Sequence, residues 1–275
     1  MAGNIFTHIR GILIVTPWVI LLFFQDLLLS LLLLIKPFNP SLAYNLACPI
    51  VYSCWIMIQW FFTSVNGAHI TISGDPLVPD ESAVVLCNHV GWSDFYMIQA
   101  CAIKAGMLGG TRYFAKAQLK KVPLLGWGMI AAGLVSFSEG TRFTPKKYAE
   151  SVAWCDSTGR PQPQHLLYPR TRGFIQTVQH LRQAPHVKAV YDLTIVYQHG
   201  DKFGAAPEFW STLSVPHLSD VEGYRFEVHV RRFAMDTLPR EDAELASWIE
   251  ARWLEKGQWL EQKRVEWSGK EKGVK

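Results

Sequence analysis

The chain has 275 residues, of which 49% are hydrophobic and only 18% are charged, below the charged share of about a quarter that soluble domains have. The formal net charge of +4 is too small to indicate a nucleic-acid-binding protein, although it suits a mildly anionic partner such as a phospholipid surface. The five cysteines include no C-x-x-C pair. We therefore expect neither a zinc site nor a disulfide framework.

An apolar segment near the N-terminus, Ile12–Ile35, is long enough to cross a membrane. Its 24 residues would extend about 36 Å as a helix. Eighteen of them are Leu, Ile, Val or Phe, which favour insertion by about 5–11 kcal/mol, whereas Asp26 opposes it by about 2.5–3.5 kcal/mol. The sequence therefore predicts a membrane-embedded helix. A signal peptide is disfavoured because the run is long and Lys36 and Pro37 follow it without a small-residue cleavage site.

A second apolar segment, Leu42–Val65, completes a predicted N-terminal membrane region of residues 1–68. Pro37, Asn39 and Pro40 break the chain between the two apolar segments. The second segment has a length that could span the bilayer or lie in its interface. Two arrangements stay open: a helical hairpin, or one span followed by an interfacial helix.

Residues 69–238 have the pattern of an α/β domain, with a mixed sheet flanked by helices. Short runs rich in apolar and β-branched residues alternate with segments that have helical spacing. The predicted strands are Ser82–Asn88, Arg112–Lys116, Gly133–Phe137 and Ala189–Tyr197, and the predicted helices are Asp94–Met107 and Thr171–Gln183.

The last predicted strand and helix carry alternating polar and apolar residues. Tyr224–Arg231 alternates with a period of two, which predicts a half-exposed strand at the edge of the sheet. Glu241–Arg264 predicts an amphipathic helix that packs on the sheet or rests on a membrane surface. This helix belongs to a C-terminal segment, residues 239–275, whose tail from Gly269 is predicted to be disordered.

The segment Asn88–Asp94 follows a predicted strand and contains a histidine and an aspartate five residues apart. A continuous helix would place His89 and Asp94 about 140° apart, so they can meet only if the chain turns between them, which Gly91 permits. The carboxylate would then fix the imidazole tautomer and leave the other ring nitrogen to accept a proton. The alternative is a loop histidine beside an aspartate that caps a helix.

Basic residues near other turns are candidates for binding phosphate. Phe137–Arg142 follows an apolar strand, and Arg142 offers a planar fork that Glu139 could orient. Lys116 and Arg170 belong to two further basic clusters that could neutralise phosphate. The alternatives are a polar turn for the first segment and a solvated surface for the clusters.

The order of these segments resembles the 1-acylglycerol-3-phosphate acyltransferase family. That family has N-H-x-x-x-x-D, here Asn88–Asp94, followed by E-G-T-R, here Glu139–Arg142. Lys120–Trp127, Tyr168–Phe174 and Val190–Thr194 are similar to the eukaryotic branch that includes lysocardiolipin and lysophosphatidylinositol acyltransferases.

The resemblance implies a membrane enzyme, located in the endoplasmic reticulum, that moves a fatty acyl group from acyl-CoA to a lysophospholipid. In this role His89 is the general base and Asp94 orients it. The residues implied for binding the acceptor phosphate are Glu139, Gly140, Thr141 and Arg142, and the segment that begins at Lys116 would line a substrate tunnel. Acyl-CoA is a co-substrate, and no metal, other cofactor or nucleic acid is expected.

One interval departs from the family pattern. Only eleven residues, Gly128–Ser138, separate Trp127 from Glu139, where relatives carry a longer stretch with an arginine. No Arg or Lys occurs from Val122 to Thr141. This leaves an alternative open: an inactive paralogue, or a truncated gene model, that binds lipid at a membrane without turnover. A serine hydrolase is disfavoured because the sequence has no G-x-S-x-G.

Overall fold

The computed structural model describes residues 5–115, 135–136 and 142–271. Four predicted binding residues therefore lie outside the described residues: Lys116, Glu139, Gly140 and Thr141. Parts of two predicted strands also lie outside them. The described helices are α1 Ile5–Leu32, α2 Pro40–Trp60, α3 Asp94–Lys104, α4 Pro145–Thr158, α5 Thr171–Leu181, α6 Phe209–Ser214 and α7 Asp242–Glu271. The described strands are β1 Ile70–Gly74, β2 Ala83–Cys87, β3 Phe114–Ala115, β4 Val135–Ser136, β5 Ala189–His199, β6 Lys202–Phe203 and β7 Tyr224–Ala234.

Contacts between residues divide the chain into two compact units. The first unit consists of Met1–Ile70, Phe95–Gly140 and Pro207–Tyr224. The second unit consists of Thr71–Asp94, Thr141–Ala206 and Arg225–Lys275.

Helices α1 and α2 of the first unit form a helical hairpin. The side chain of Asn39 accepts a hydrogen bond of 2.9 Å from the backbone N–H of Leu42, so it caps α2, and Pro40 occupies the first turn where its missing N–H costs nothing. After Trp60 the helix widens into a π-helical turn, Phe61–Val65.

The contacts between α1 and α2 show that the two helices run antiparallel. Leu29 near the end of α1 packs against Ala47 and Val51, and one helical turn earlier Gln25 donates a hydrogen bond of 2.7 Å to Ser53. Both helices are long and apolar enough to cross a membrane. The structure thus has an antiparallel helix pair, and whether the second helix spans the bilayer or lies in its interface stays a prediction.

The second unit contains a mixed sheet with the strand order β1-β7-β5-β2, to which β6 adds as an antiparallel partner of β5. Strand β2 pairs in parallel with β5, with Cys87 opposite Leu193. In the first unit, the short strands β3 and β4 pair in parallel as a separate sheet. The predicted α/β class with a mixed sheet is confirmed, as are the predicted strands at β2 and β5.

The core of the second unit lies between this sheet and helices α5 and α7. Helix α5 confirms the predicted helix over Thr171–Gln183 and ends two residues earlier. The buried apolar side chains of this core come from β2, β5, the segment that follows β7 and both helices: Val84, Phe174, Val178, Val190, Met235, Leu238, Leu245 and Ile249.

The prediction that Tyr224–Arg231 forms an edge strand is wrong, because β7 lies between β1 and β5. Two of its alternating polar residues pair with charged groups of α7 instead of facing water. Glu227 accepts from Lys263 at 3.1 Å, and Arg231 forms an ion pair with Glu255. The predicted disordered tail is also wrong at its start, since α7 continues through Glu271.

Candidate active site

Asn88 holds the candidate site to the sheet at the point where β2 ends. Its side-chain amide donates a hydrogen bond of 2.9 Å to the carbonyl of Ile195 in β5 and accepts one of 2.8 Å from the N–H of the same residue. The amide thus imitates one more backbone pair of the β2–β5 ladder. Because Asn88 is buried, these bonds fix where the next residue, His89, leaves the sheet.

His89 and Asp94 meet across the turn between β2 and α3. Nδ1 of His89 lies 2.6 Å from Oδ2 of Asp94, and the His89 side chain is 48% exposed whereas that of Asp94 is 6% exposed. Asp94 is the first residue of α3, where the partial positive charge of the helix N-terminus favours an anion. The arrangement joins a buried carboxylate to an accessible imidazole.

Asp94 accepts hydrogen bonds from three further donors. Its Oδ2 accepts from the backbone N–H groups of Val90 at 2.7 Å and Gly91 at 3.0 Å, and its Oδ1 accepts from the Tyr197 hydroxyl at 2.8 Å. Burial, and then the negative charge of Asp94, raise the pKa of Tyr197 well above its ordinary value. Tyr197 therefore keeps its proton and acts as a donor.

These contacts determine the tautomer of His89. An ionised carboxylate only accepts hydrogen bonds, so Nδ1 of His89 carries the proton and donates the hydrogen bond to Asp94. In the neutral imidazole Nε2 is then unprotonated and can accept a proton. A neutral ring held in this way has the geometry that a general base requires.

Of the predicted phosphate-binding residues, Arg142 lies in a segment that contacts the His89 turn. The backbone N–H of Phe143, the next residue, donates a hydrogen bond of 2.8 Å to the carbonyl of His89. The Arg142 side chain is exposed, and its carbonyl accepts from Lys147 at 3.3 Å. The two sequence motifs are therefore neighbours in space at Arg142.

Arg170 has a different position from Arg142. It is exposed and precedes α5, where its side chain makes no capping hydrogen bond. No contact among the described residues joins it to His89, so its binding role stays a prediction. Lys116, Glu139, Gly140 and Thr141 lie outside the described residues, and their roles also stay predictions.

The sequence analysis missed Tyr197 as a member of the site. A signal for it exists: β2 and β5 are parallel, and the carboxyl ends of parallel strands meet at one edge of a sheet. A polar residue near the end of β5 is therefore expected beside the residues that follow β2. Using this signal requires knowing that β5 is the neighbour of β2.

Comparison with known proteins finds two regions of the chain that are similar to one family. The sequence model "Acyltransferase" matches residues 69–160, which include the His89–Asp94 turn, and the model "Acyltransferase C-terminus" matches residues 218–262, which include β7 and most of α7. In these two regions the chain is similar to the acyltransferase family.

Its relatives include two mammalian proteins. Human 1-acyl-sn-glycerol-3-phosphate acyltransferase delta is 28% identical over 84% of this chain and 67% of its own length. Mouse lysocardiolipin acyltransferase 1 is 25% identical over 86% of this chain and 70% of its own length. Among solved structures, the 1-acyl-sn-glycerophosphate acyltransferase PlsC of Thermotoga maritima is 15% identical, with a TM-score of 0.44, over 86% of this chain and 97% of that one.

Proposed function

We propose that this chain transfers a fatty acyl group from acyl-CoA to the free hydroxyl of a lysophospholipid of the lysophosphatidic acid, lysophosphatidylinositol or lysocardiolipin type. The observation that supports this most is the 2.6 Å contact between Nδ1 of His89 and the buried carboxylate of Asp94. That contact leaves Nε2 of a half-exposed ring available to a substrate hydroxyl. The names of the relatives supply the acceptor class, lysophospholipids.

In the proposed reaction His89 acts first as a base and then as an acid. Nε2 accepts the proton of the lysophospholipid hydroxyl while its oxygen attacks the carbonyl carbon of the acyl-CoA thioester. When the tetrahedral intermediate collapses, the C–S bond breaks and the CoA thiolate takes the proton from Nε2. One thioester becomes one ester, His89 returns to its neutral form, and no acyl-enzyme forms.

The charge of Asp94 contributes while the proton is on His89. The imidazolium that forms between the two proton transfers lies against a carboxylate that is buried and ionised, where an ion pair is stronger than in water. The carboxylate thereby lowers the free energy of the charged intermediate relative to the resting enzyme.

The acceptor's phosphate would bind on the Arg142 side of His89. A guanidinium donates two parallel hydrogen bonds to phosphate oxygens, and the Phe143–His89 backbone contact keeps this segment next to the base. Glu139, Gly140 and Thr141 would complete that site, with Lys116 and Arg170 as further contacts, as the family resemblance implies.

A membrane location is supported by α1 and α2, which are long and apolar enough to cross a bilayer. Lysophospholipids and long-chain acyl-CoA partition into or onto membranes, so an anchored enzyme meets both substrates at one surface. The endoplasmic reticulum is the membrane that we propose.

The test is release of free CoA thiol by the full chain, purified in detergent and supplied with acyl-CoA and a panel of lysophospholipids. We expect thiol release only when an acceptor is present, and we expect His89→Ala to lower the rate about 100- to 10,000-fold. His69→Ala is the matched control, because His69 also contacts an aspartate, Asp220, at 3.3 Å but on an exposed surface. Full activity of His89→Ala would contradict the mechanism.

A second candidate, lipid binding without turnover, is favoured by the short interval between Trp127 and Glu139. It predicts that lysophospholipid co-purifies with the protein while no thiol is released with any acceptor of the panel. Acceptor-dependent thiol release that His89→Ala abolishes excludes it.

A further inference from the structure

We propose that Tyr197 is a positioning residue of this reaction: its hydroxyl holds the Asp94 carboxylate in the one orientation that serves His89, and it sets how much negative charge the carboxylate directs at the imidazole. The inference rests on the proposed function, because it concerns the base of that reaction. It extends the site from the turn after β2 to the strand β5.

The two oxygens of Asp94 have different partners, and this difference carries the inference. Oδ2 contacts His89 and two backbone N–H groups, whereas Oδ1 accepts from the Tyr197 hydroxyl at 2.8 Å. A carboxylate can rotate about its last side-chain bond, which has a broad energy profile. A donor on each oxygen restricts this rotation, and among the described contacts Tyr197 supplies the donor on Oδ1.

The sheet holds the Tyr197 hydroxyl at a fixed position. Asn88 pairs with Ile195 at 2.8 and 2.9 Å, which sets the register between the end of β2 and β5. Tyr197 follows two residues later, so its side chain leaves β5 on the same face as that of Ile195. Its ring packs edge-on against Phe226 of β7, with centroids 6.1 Å apart, and the residue is fully buried.

The hydrogen bond also affects the charge that His89 experiences. A donor on Oδ1 draws negative charge toward that oxygen, which weakens the attraction of the carboxylate for an imidazolium. Removing the donor should strengthen this attraction. Protonated His89 would then persist to higher pH, where it cannot act as a base, so the acidic limb of the pH profile of activity should move to higher pH.

A matched residue in the same strand separates this role from ordinary stabilisation. Tyr191 is also buried in β5, at 5% exposure, and its hydroxyl also donates to a carboxylate, that of Glu81, at 2.7 Å. Among the residues that the structure describes, Glu81 contacts Arg232 and not a histidine. Tyr191→Phe therefore deletes the same kind of hydrogen bond, together with one of 3.0 Å that the Tyr191 hydroxyl accepts from the Val78 N–H, without touching the proposed base.

The experiment measures kcat, both KM values, the pH profile of kcat/KM and the melting temperature for the wild type, Tyr197→Phe and Tyr191→Phe as full chains in detergent. For Tyr197→Phe we expect kcat to fall about ten- to hundredfold, the range for losing one hydrogen bond to a charged group, because the misoriented carboxylate costs more rate than its stronger attraction for the imidazolium gains. We expect the KM for acyl-CoA to stay constant and the acidic limb to move to higher pH. Tyr191→Phe should change only the melting temperature.

A second variant, which keeps the hydroxyl, separates the effect of the hydrogen bond from a loss of folding in Tyr197→Phe. With 3,5-difluorotyrosine at position 197 the ring keeps its hydrogen bond but becomes a stronger donor, so the acidic limb should move to lower pH. If both position-197 variants have wild-type kinetics and an unchanged pH profile, the inference is overturned while the proposed function stands. Absence of turnover by the wild type overturns the proposed function and the inference together.

Discussion

Asp94 and Asp192 are two buried carboxylates of the second unit whose partners differ in charge. Asp192, in β5, is fully buried and contacts two cations: Arg231 at 2.6 Å, and Lys256, whose side chain is also fully buried. Lys256 also donates to the carbonyl of Leu193 at 2.8 Å. Asp94 instead accepts from two backbone amides, one phenol and one imidazole.

The comparison suggests how to recognise a carboxylate that is available for chemistry. Cations cancel the charge of Asp192, so it has none left to stabilise a new positive charge nearby, and its pairing with Lys256 ties α7 to the sheet. The neutral donors around Asp94 stabilise its carboxylate by hydrogen bonds but do not cancel its negative charge. That charge acts on His89 when the ring becomes an imidazolium. We therefore expect Asp94 to matter for rate and Asp192 to matter for folding.

The largest expected effect is that of Asp94→Asn on the rate. An asparagine can keep its oxygen toward His89 and turn its NH2 group toward Tyr197, whose oxygen can accept. The hydrogen bonds are thus retained and only the charge is removed. We expect kcat/KM to fall about 100- to 10,000-fold, with the melting temperature nearly unchanged. Acceptor-dependent CoA release and a thermal melt on the same preparation measure both.

The rate and the stability of Asp94→Asn are informative only together. Near-wild-type turnover would show that the Asp94 charge is not used, and the distinction between the two aspartates would then fail. A large loss of stability would place Asp94 in the same class as Asp192.

The next effect in size is that of Asp192→Asn on stability. Removing this charge leaves the buried Lys256 without its carboxylate, and breaking a buried ion pair by removing one partner costs about 3–5 kcal/mol. We expect the free energy of unfolding to fall by about that amount, while the folded fraction keeps the wild-type kcat. Denaturant unfolding in detergent gives the first quantity, and activity per folded molecule gives the second.

A second substitution sharpens this test. Adding Lys256→Met to Asp192→Asn removes the unpaired cation, so part of the lost stability should return, because an apolar pair of similar volume often replaces a buried ion pair without cost. No recovery in the double variant would mean that the loss came from packing or from Arg231, and not from the unpaired Lys256.

The His89–Asp94 contact was predictable from the sequence, whereas the surroundings of either carboxylate were not. The spacing of the two residues and Gly91 between them permit a turn, and a turn is what the structure has. Tyr197 required the strand order, because it lies more than a hundred positions from Asp94.

The error over β7 has a related cause. Alternating charges look alike whether they face water or pair with another element. Glu227 and Arg231 pair with Lys263 and Glu255 of α7, a partnership between distant segments that no local pattern specifies. The order of segments along the chain was therefore informative about the fold, whereas the sequence did not predict which charges pair between the segments.

The smallest expected effect concerns Glu81, which combines features of the two aspartates. It accepts from the Tyr191 hydroxyl at 2.7 Å, as Asp94 does from Tyr197, and from the Arg232 guanidinium at 2.8 Å, as Asp192 does from Arg231. The hydrogen bond from Arg232 is the main cause that lowers the pKa of Glu81 below its ordinary value of 4.5.

A lowered pKa makes the contribution of Glu81 to stability depend on pH in a definite direction. The contribution is complete above the ordinary pKa of 4.5 and disappears as the pH falls through the lowered pKa of the folded state, because protonation then becomes possible in both states. Glu81→Gln should therefore lower the free energy of unfolding by about 1 kcal/mol or less at pH 7, since Arg232 is partly exposed to solvent, and this loss should vanish in acid.

Unfolding free energies of the wild type and Glu81→Gln, measured between pH 7 and pH 3, should converge toward the acidic end. If the two plots of unfolding free energy against pH run parallel, the Arg232 cation does not stabilise the Glu81 carboxylate. A guanidinium partner would then not be enough to show that a carboxylate serves stability.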